Sequence, residues 1–278
     1  MTGGEQIRQI FDEPKSVTLL DPKLSQFAQR LYDQVRPASE FQPVLDQDYV
    51  VKGWLNRDSV SVVYGEPNVG KSFWAVDLAH HVQQGLEWAG CRVTAGPVLY
   101  VAAEGGMLFA NRLAAVKAQF MVLQAPLVLG GRNCNAAFLV QAIKRLSDVH
   151  GPFALIIFDT LARVMAGDEN AAPDVAALVR GVDTLRRETG AHIMLIHHSG
   201  KDVTKGARGH SALRAAVDTE IELTKSKETG ERMARATKQR DMACDAECLF
   251  QLQQVKLGPD QDGDPVTSCV IKHLGERA

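Results

Sequence analysis

The most constraining stretch of the chain is Gly65-Glu66-Pro67-Asn68-Val69-Gly70-Lys71-Ser72, a full match to G-x-x-x-x-G-K-[ST]. Four fixed positions at ordinary residue frequencies match by chance in a chain of this length only about one time in a hundred. The flanks come in the required order. Ser59-Val60-Ser61-Val62-Val63-Tyr64 is a β-branched run suited to a buried strand, and Phe73-Trp74-Ala75-Val76-Asp77-Leu78-Ala79 has helical spacing. A strand, a glycine turn and a helix N-terminus aim backbone N–H groups and the helix dipole at an anion. The stretch from Gly65 to Phe73 is therefore expected to hold a polyphosphate, with Lys71 on the β and γ phosphates and Ser72 on Mg2+.

The rest of the chain is read around that loop. Residues 1–45 carry Pro14, Pro22, Pro37 and Pro43 and one amphipathic candidate, Leu24 to Val35, so they form an arm, either disordered or partly helical. From about residue 46 to 278, short apolar strands alternate with longer helical stretches, the pattern of a mostly parallel α/β sheet. Pro97 to Glu104 reads as a strand ending in a carboxylate, Met107 to Leu123 as a helix, and Phe138 to Val149 as another. Phe153 to Asp159 is a continuous apolar strand ending in aspartate, the Walker B pattern. Ala171 to Thr189 is a helix closed by Gly190, and Ala191 to Ile196 is a strand that delivers His197, His198 and Ser199. Gly200 to Gly209 is a glycine-rich basic loop carrying Lys201, Lys205 and Arg208. Thr219–Thr224 and Arg232–Thr237 read as further strands, and the tail as a C-terminal β-hairpin turning around residues 258–265.

A formal charge of −2 excludes a wholesale basic nucleic-acid binder and leaves only local Lys/Arg clusters for such contacts. Five scattered cysteines predict reduced thiols. Only Cys244 and Cys248 are close, and no second Cys/His pair accompanies them to complete a zinc site. The polar start and the lack of an apolar run near eighteen residues predict a cytoplasmic chain with no membrane partner.

Transfer of a phosphoryl group to water needs held phosphates, a bridging metal, an oriented water and positive charge for the transition state. Asp159, directly after an apolar strand, suits the metal. From spacing alone, Glu104 is either a water-orienting base or a solvated strand-end carboxylate. His197 and His198 are either packing residues or a group that senses the γ-phosphate, and Arg208, Lys238 and Arg240 read as solvated charges.

The ordered series GEPNVGKS, VLYVAAEGG, ALIIFDTLARV, HIMLIHHSGK and ARGHSALRAAVDT, from roughly residue 50 to 241, resembles the RecA-like P-loop ATPases of the RepA type. These are hexameric replicative helicases of plasmids and phages. The stretch ATKQRD resembles the Lys-x-Arg element of DnaB-type helicases. The resemblance implies a RecA-like core, ATP with Mg2+ as ligands, and a homo-oligomeric, hexameric ring with ATP between subunits. It casts Glu104 as the catalytic glutamate and His197 as the nucleotide sensor. Arg208, Lys238 and Arg240 become charges supplied to a neighbour's ATP, and Lys201 and Lys205 contacts to single-stranded DNA. No primase, zinc-binding or collar region accompanies the series, so loading on DNA would call for a separate loader or initiator protein. Two other activities remain open: a recombination or repair ATPase, and a nucleotide-gated assembly switch indifferent to DNA. A GTPase is disfavoured, because Thr237-Lys238-Gln239-Arg240 has arginine where [NT]-K-x-D needs aspartate.

Overall fold

A computed structural model describes residues 22–43, 48–104, 106–198, 211–240 and 242–275. Internal contacts divide the chain into two units, Met1–Asp46 and Gln47–Ala278. Among the described residues the first contributes helix α1 (Pro22–Tyr32) and a 3-10 turn at Ala38–Glu40.

In the second unit, β1 (Tyr49–Val51) and β2 (Leu55–Asn56) form a small antiparallel pair. Then follow β3 (Val60–Gly65), α2 (Lys71–Gln84), β4 (Val98–Ala102), α3 (Phe109–Ala115), β5 (Met121–Leu123), α4 (Ala136–His150) and β6 (Leu155–Asp159). After β6 come α5 (Leu161–Val164), α6 (Ala172–Thr189), β7 (His192–Ile196), α7 (Ser211–Ala216), β8 (Thr219–Lys225), β9 (Arg232–Gln239), β10 (Glu247–Pro259) and β11 (Pro265–Leu274). One nine-stranded sheet runs in the order β11-β10-β9-β8-β3-β7-β6-β4-β5. From β8 to β5 neighbouring strands are parallel, and from β8 to β11 they are antiparallel. This is the mostly parallel α/β sheet with a terminal hairpin that the sequence predicts.

The central strands are buried on both faces, which is why they read as apolar runs rather than alternating ones. Their side chains still alternate between two cores. Val63, Tyr100, Ile157 and Ile196 face a cluster with β1, β2 and α2, centred on Trp54, Trp74 and Trp88. Val62, Leu99, Ile156 and Leu195 face a second cluster with α4 and α6. The three tryptophans meet in tilted and edge-on pairs with centroids 5.2–6.4 Å apart, the arrangements favoured by the ring quadrupole. Beside them, Asp77 of α2 is buried, and its Oδ2 accepts from Trp88 Nε1 (3.0 Å) and contacts His273 Nε2 of β11 (2.9 Å). The helix that follows the glycine loop is thus fastened to the last strand.

The expected helix from Met107 to Leu123 is corrected. Helix α3 ends at Ala115, Lys117 takes a left-handed φ of 52°, and Met121–Leu123 forms β5 in parallel with β4. Met and Leu are good helix formers, but an open edge on β4 offers those residues paired backbone and burial, and the pairing outweighs propensity. The first strand of the terminal hairpin also runs past the apolar stretch that ends at Val255, because Lys256, Gly258 and Pro259 still pair with β11.

Two features of the sheet lead to measurable consequences. Gly65 ends β3 against β8 so closely that a Cβ there would lie 2.4 Å from the Leu223 carbonyl oxygen, a backbone atom that cannot step aside. Gly65→Ala is expected to lower stability by roughly 1–3 kcal/mol, as overpacking does, read as a drop in the denaturation midpoint; an unchanged midpoint would contradict this close approach.

His192 of β7 is fully buried. Its Nδ1 lies 2.8 Å from the Asn56 carbonyl, which can only accept, so Nδ1 carries the proton and Nε2 accepts from Ser61 Oγ at 2.7 Å. Burial pushes its pKa down from 6.5 to about 4. The folded chain therefore refuses a proton that the unfolded chain takes up as pH falls below 6.5, so this contribution is complete above that value and fades toward pH 4. About 2 kcal/mol should be lost by pH 5. Urea denaturation at pH 7.5 and pH 5 should show this loss, and His192→Asn should reduce the difference between the two pH values by that amount. An equal difference in both proteins would refute the assignment.

Candidate active site

Parallel register brings the ends of four strands to one edge. Val63 of β3 pairs with Ile196 of β7, Ile196 with Asp159 of β6, and Asp159 with Ala102 of β4. Residues just beyond those positions therefore gather along one line: the Gly65–Ser72 loop, His197, Asp159 and Glu104. In open α/β sheets this carboxyl edge is where ligands bind.

The loop itself has the backbone that its glycines permit. Gly70 sits at φ 104° and hands over directly to the first residue of α2. Asn68, at φ 64°, is one of the few residue types other than glycine that tolerate the left-handed region. Lys71 is buried, and its Nζ donates to the carbonyls of Gly65 and Glu66, each at 2.9 Å. Burial lowers its pKa, opposed by the charges of Asp159 and Glu104. The ammonium is thus folded back on its own loop, close to both carboxylates.

Asp159 is also buried. Burial raises its pKa, and hydrogen bonds from Tyr100 and Ser72 pull it back down. The Tyr100 hydroxyl donates to Oδ2 at 2.7 Å. Ser72 and Asp159 thus present two hard oxygen donors within reach of each other, the donor chemistry that a divalent cation such as Mg2+ takes. Glu104 lies at the edge of the same group: its backbone N–H donates to the Asp159 carbonyl at 3.1 Å, and its Oε1 accepts from Thr160 Oγ1 at 3.0 Å. Arg163 Nε approaches that oxygen at 3.4 Å, across an exposed ion pair that contributes orientation more than energy. His197 is buried at the end of β7, between the loop strand and the Asp159 strand, with Nε2 3.7 Å from Glu169 Oε2.

Several of these partners carry no sequence signal of their own. Thr160 and Arg163 follow the Walker B aspartate and could have been suspected from that adjacency. Tyr100 sits inside an apolar strand and reads as packing. Arg112 of α3 stacks over the Phe73 ring at 4.9 Å and pulls on the Asp159 pKa from an element the sequence placed only roughly.

Lys238 and Arg240 lie elsewhere. Because β9 is antiparallel to β8, Gln239 pairs with Thr219, which is level with Ser61 at the start of β3. The loop begins four residues further along that strand, about 13 Å at ~3.3 Å per residue. Lys238 Nζ donates to the carbonyls of Arg214 and Val217, both at 2.6 Å, and Arg240 pairs with Asp218 at 2.8 Å. Neither belongs to the chain's own nucleotide loop. Arg208, Lys201 and Lys205 lie outside the described residues. No described helix is long and apolar enough to cross a membrane.

A family model described as an AAA domain matches residues 29–203, well over half of the chain, and spans the glycine loop, Glu104, Asp159 and His197. With a phosphate-binding loop, a buried strand-end aspartate and a neighbouring glutamate on the carboxyl edge of a parallel sheet, the chain belongs to the AAA-domain family of P-loop ATPases.

Proposed function

We propose that this ATPase is a ring-forming motor that translocates on single-stranded DNA, a replicative helicase of the RepA type. The observation that carries this reading is the division of charge across the sheet. One edge holds the loop, Ser72, Asp159 and Glu104; the other holds Lys238 and Arg240, fixed by the carbonyls around α7 and by Asp218. A site that lacks these cations in its own subunit, on a chain that presents them at the opposite edge, suits a head-to-tail ring. The resemblance of ATKQRD to a Lys-x-Arg element supports the same assignment, and the resemblance of the ordered series that includes ARGHSALRAAVDT to the RepA type gives Arg208 a similar role.

In this reading Gly65 to Phe73 surround the polyphosphate of ATP, and Lys71 exchanges its two carbonyl acceptors for phosphate oxygens. Mg2+, held by Ser72 and Asp159, would neutralise charge on the β and γ phosphates. Glu104, oriented by Thr160 and Arg163, aligns the attacking water and takes its proton. His197 reports the state of the γ-phosphate to the following loop, where Lys201 and Lys205 track the DNA backbone by charge alone. Charges supplied in trans are worth ~10³ to 10⁵ in turnover, so isolated subunits should bind ATP and hydrolyse it slowly.

The deciding experiment measures ATP turnover with and without single-stranded DNA, together with assembly state and strand separation. DNA-stimulated turnover by closed rings that unwind duplex is the expected result. Filaments without unwinding would replace this reading with a recombination ATPase, and turnover indifferent to DNA would replace it with an assembly switch. Glu104→Gln should keep ATP affinity while turnover falls by about 10² or more; wild-type turnover would move the base elsewhere. In mixtures, Arg240→Ala subunits should depress activity out of proportion to their fraction, and a strictly proportional loss would argue against action in trans.

A further inference from the structure

The antiparallel extension of the sheet touches the phosphate loop, and one of its side chains is hydrogen-bonded to the loop backbone. Arg232, the first residue of β9, donates from Nε to the Val69 carbonyl at 2.9 Å and from Nη1 to the Gly230 carbonyl at 3.2 Å. Its backbone is fixed between Lys225 of β8 and Phe250 of β10, and Phe250 is fully buried. The guanidinium is thus mounted on a rigid element and reaches a loop 163 residues away in sequence. A Cβ built on Gly70 would lie 3.5 Å from Arg232 Nε and 3.5 Å from Leu252 Cδ1, so the same two side chains wall the loop at that glycine.

We propose that Arg232 is a positioning residue of the nucleotide site, holding the Val69–Gly70 peptide in the orientation that presents the Gly70 N–H to a bound polyphosphate. The inference rests on the reading of this loop as a nucleotide site. The Val69–Gly70 bond is trans, so its carbonyl and its N–H point in opposite directions. Holding the carbonyl against the guanidinium fixes the N–H on the far side of the peptide plane. Gly70 gives the loop its positive φ, but a glycine also lets that plane rotate at little cost. A rotated plane would aim a carbonyl oxygen at phosphate oxygens and replace a donor with a repulsive dipole. An external donor at Val69 O removes that alternative.

The test compares Arg232→Ala and Arg232→Lys with the unsubstituted chain, measuring dissociation constants for ATP and inorganic pyrophosphate by displacement of a fluorescent ATP analogue. Thermal melting is recorded alongside. Pyrophosphate touches only the loop, so Arg232→Ala should weaken both ligands by a similar factor, about tenfold or more for a lost charge-assisted hydrogen bond. Arg232→Lys, which keeps one cationic donor, should recover part of that loss. KM should rise with kcat little changed, as expected when uniform binding is removed. Unchanged affinity for pyrophosphate in Arg232→Ala would overturn the proposal, as would a loss that follows the melting temperature and is not relieved by lysine. If the unsubstituted chain binds neither ligand, the nucleotide reading itself falls and this inference falls with it.

Discussion

Parallel, in-register pairing of β3, β7, β6 and β4 is the constraint on which everything else depends. Each of these strands is too short and too apolar to stand alone, and each must be buried on both faces by helices or by the small β1–β2 pair. Once they pair in parallel, their C-terminal ends are forced to one side of the molecule. A glycine turn, an aspartate, a histidine and a glutamate, far apart in sequence, then become neighbours, and short hydrogen bonds such as that from the Glu104 N–H to the Asp159 carbonyl only trim their positions. The polar chemistry at that edge is costly to desolvate, and the structure offsets the cost locally. Asp159 takes hydrogen bonds from Tyr100 and Ser72, and Lys71 donates to two loop carbonyls.

Much of this was legible in the sequence because the relevant signals are local. The loop motif is contiguous, and the Asp159 strand is an unbroken apolar run with its carboxylate at the end. The helices around α4 and α6 are bounded by Gly151 and Gly190 at positive φ, the usual stop for a helix. What could not be read is whatever depends on pairing across distance. Met121–Leu123 is a strand only because β4 has an open edge beside it. Thr160 is a partner of Glu104 only because β6 and β4 are adjacent in register. Arg232 is one arginine among many until the antiparallel turn at β8 and β9 returns it to the loop.

The two halves of the sheet carry different burdens. The parallel half is a packed wall whose central side chains are almost wholly buried, and His192 shows how polar groups are accommodated there: one ring bonded at both nitrogens and held neutral by its burial. The antiparallel half, from β9 outward, is more exposed and more polar. Its strands could pass for a decorative edge. Yet Lys238 and Arg240 at one end of β9 and Arg232 at the other connect that edge to two different places, the carbonyls around α7 and the glycine loop.

The fastening of Asp77 gives that edge a further weight. Its Oδ2 is shared by the Trp88 indole of the core and His273 of the last strand, and His273 in turn reaches Cys248 of β10 at 3.3 Å. A shortened polypeptide stopping ahead of Pro265 would still contain every residue of the phosphate loop. It would nevertheless strip the His273 imidazole from the buried Asp77 carboxyl group on the very helix that begins with Lys71 and Ser72, leaving its Oδ2 with the Trp88 indole as its remaining hydrogen-bond partner. The final ten-residue strand is thus structural support for the first helix of the site, and a minimal catalytic fragment cannot be drawn from the motifs alone.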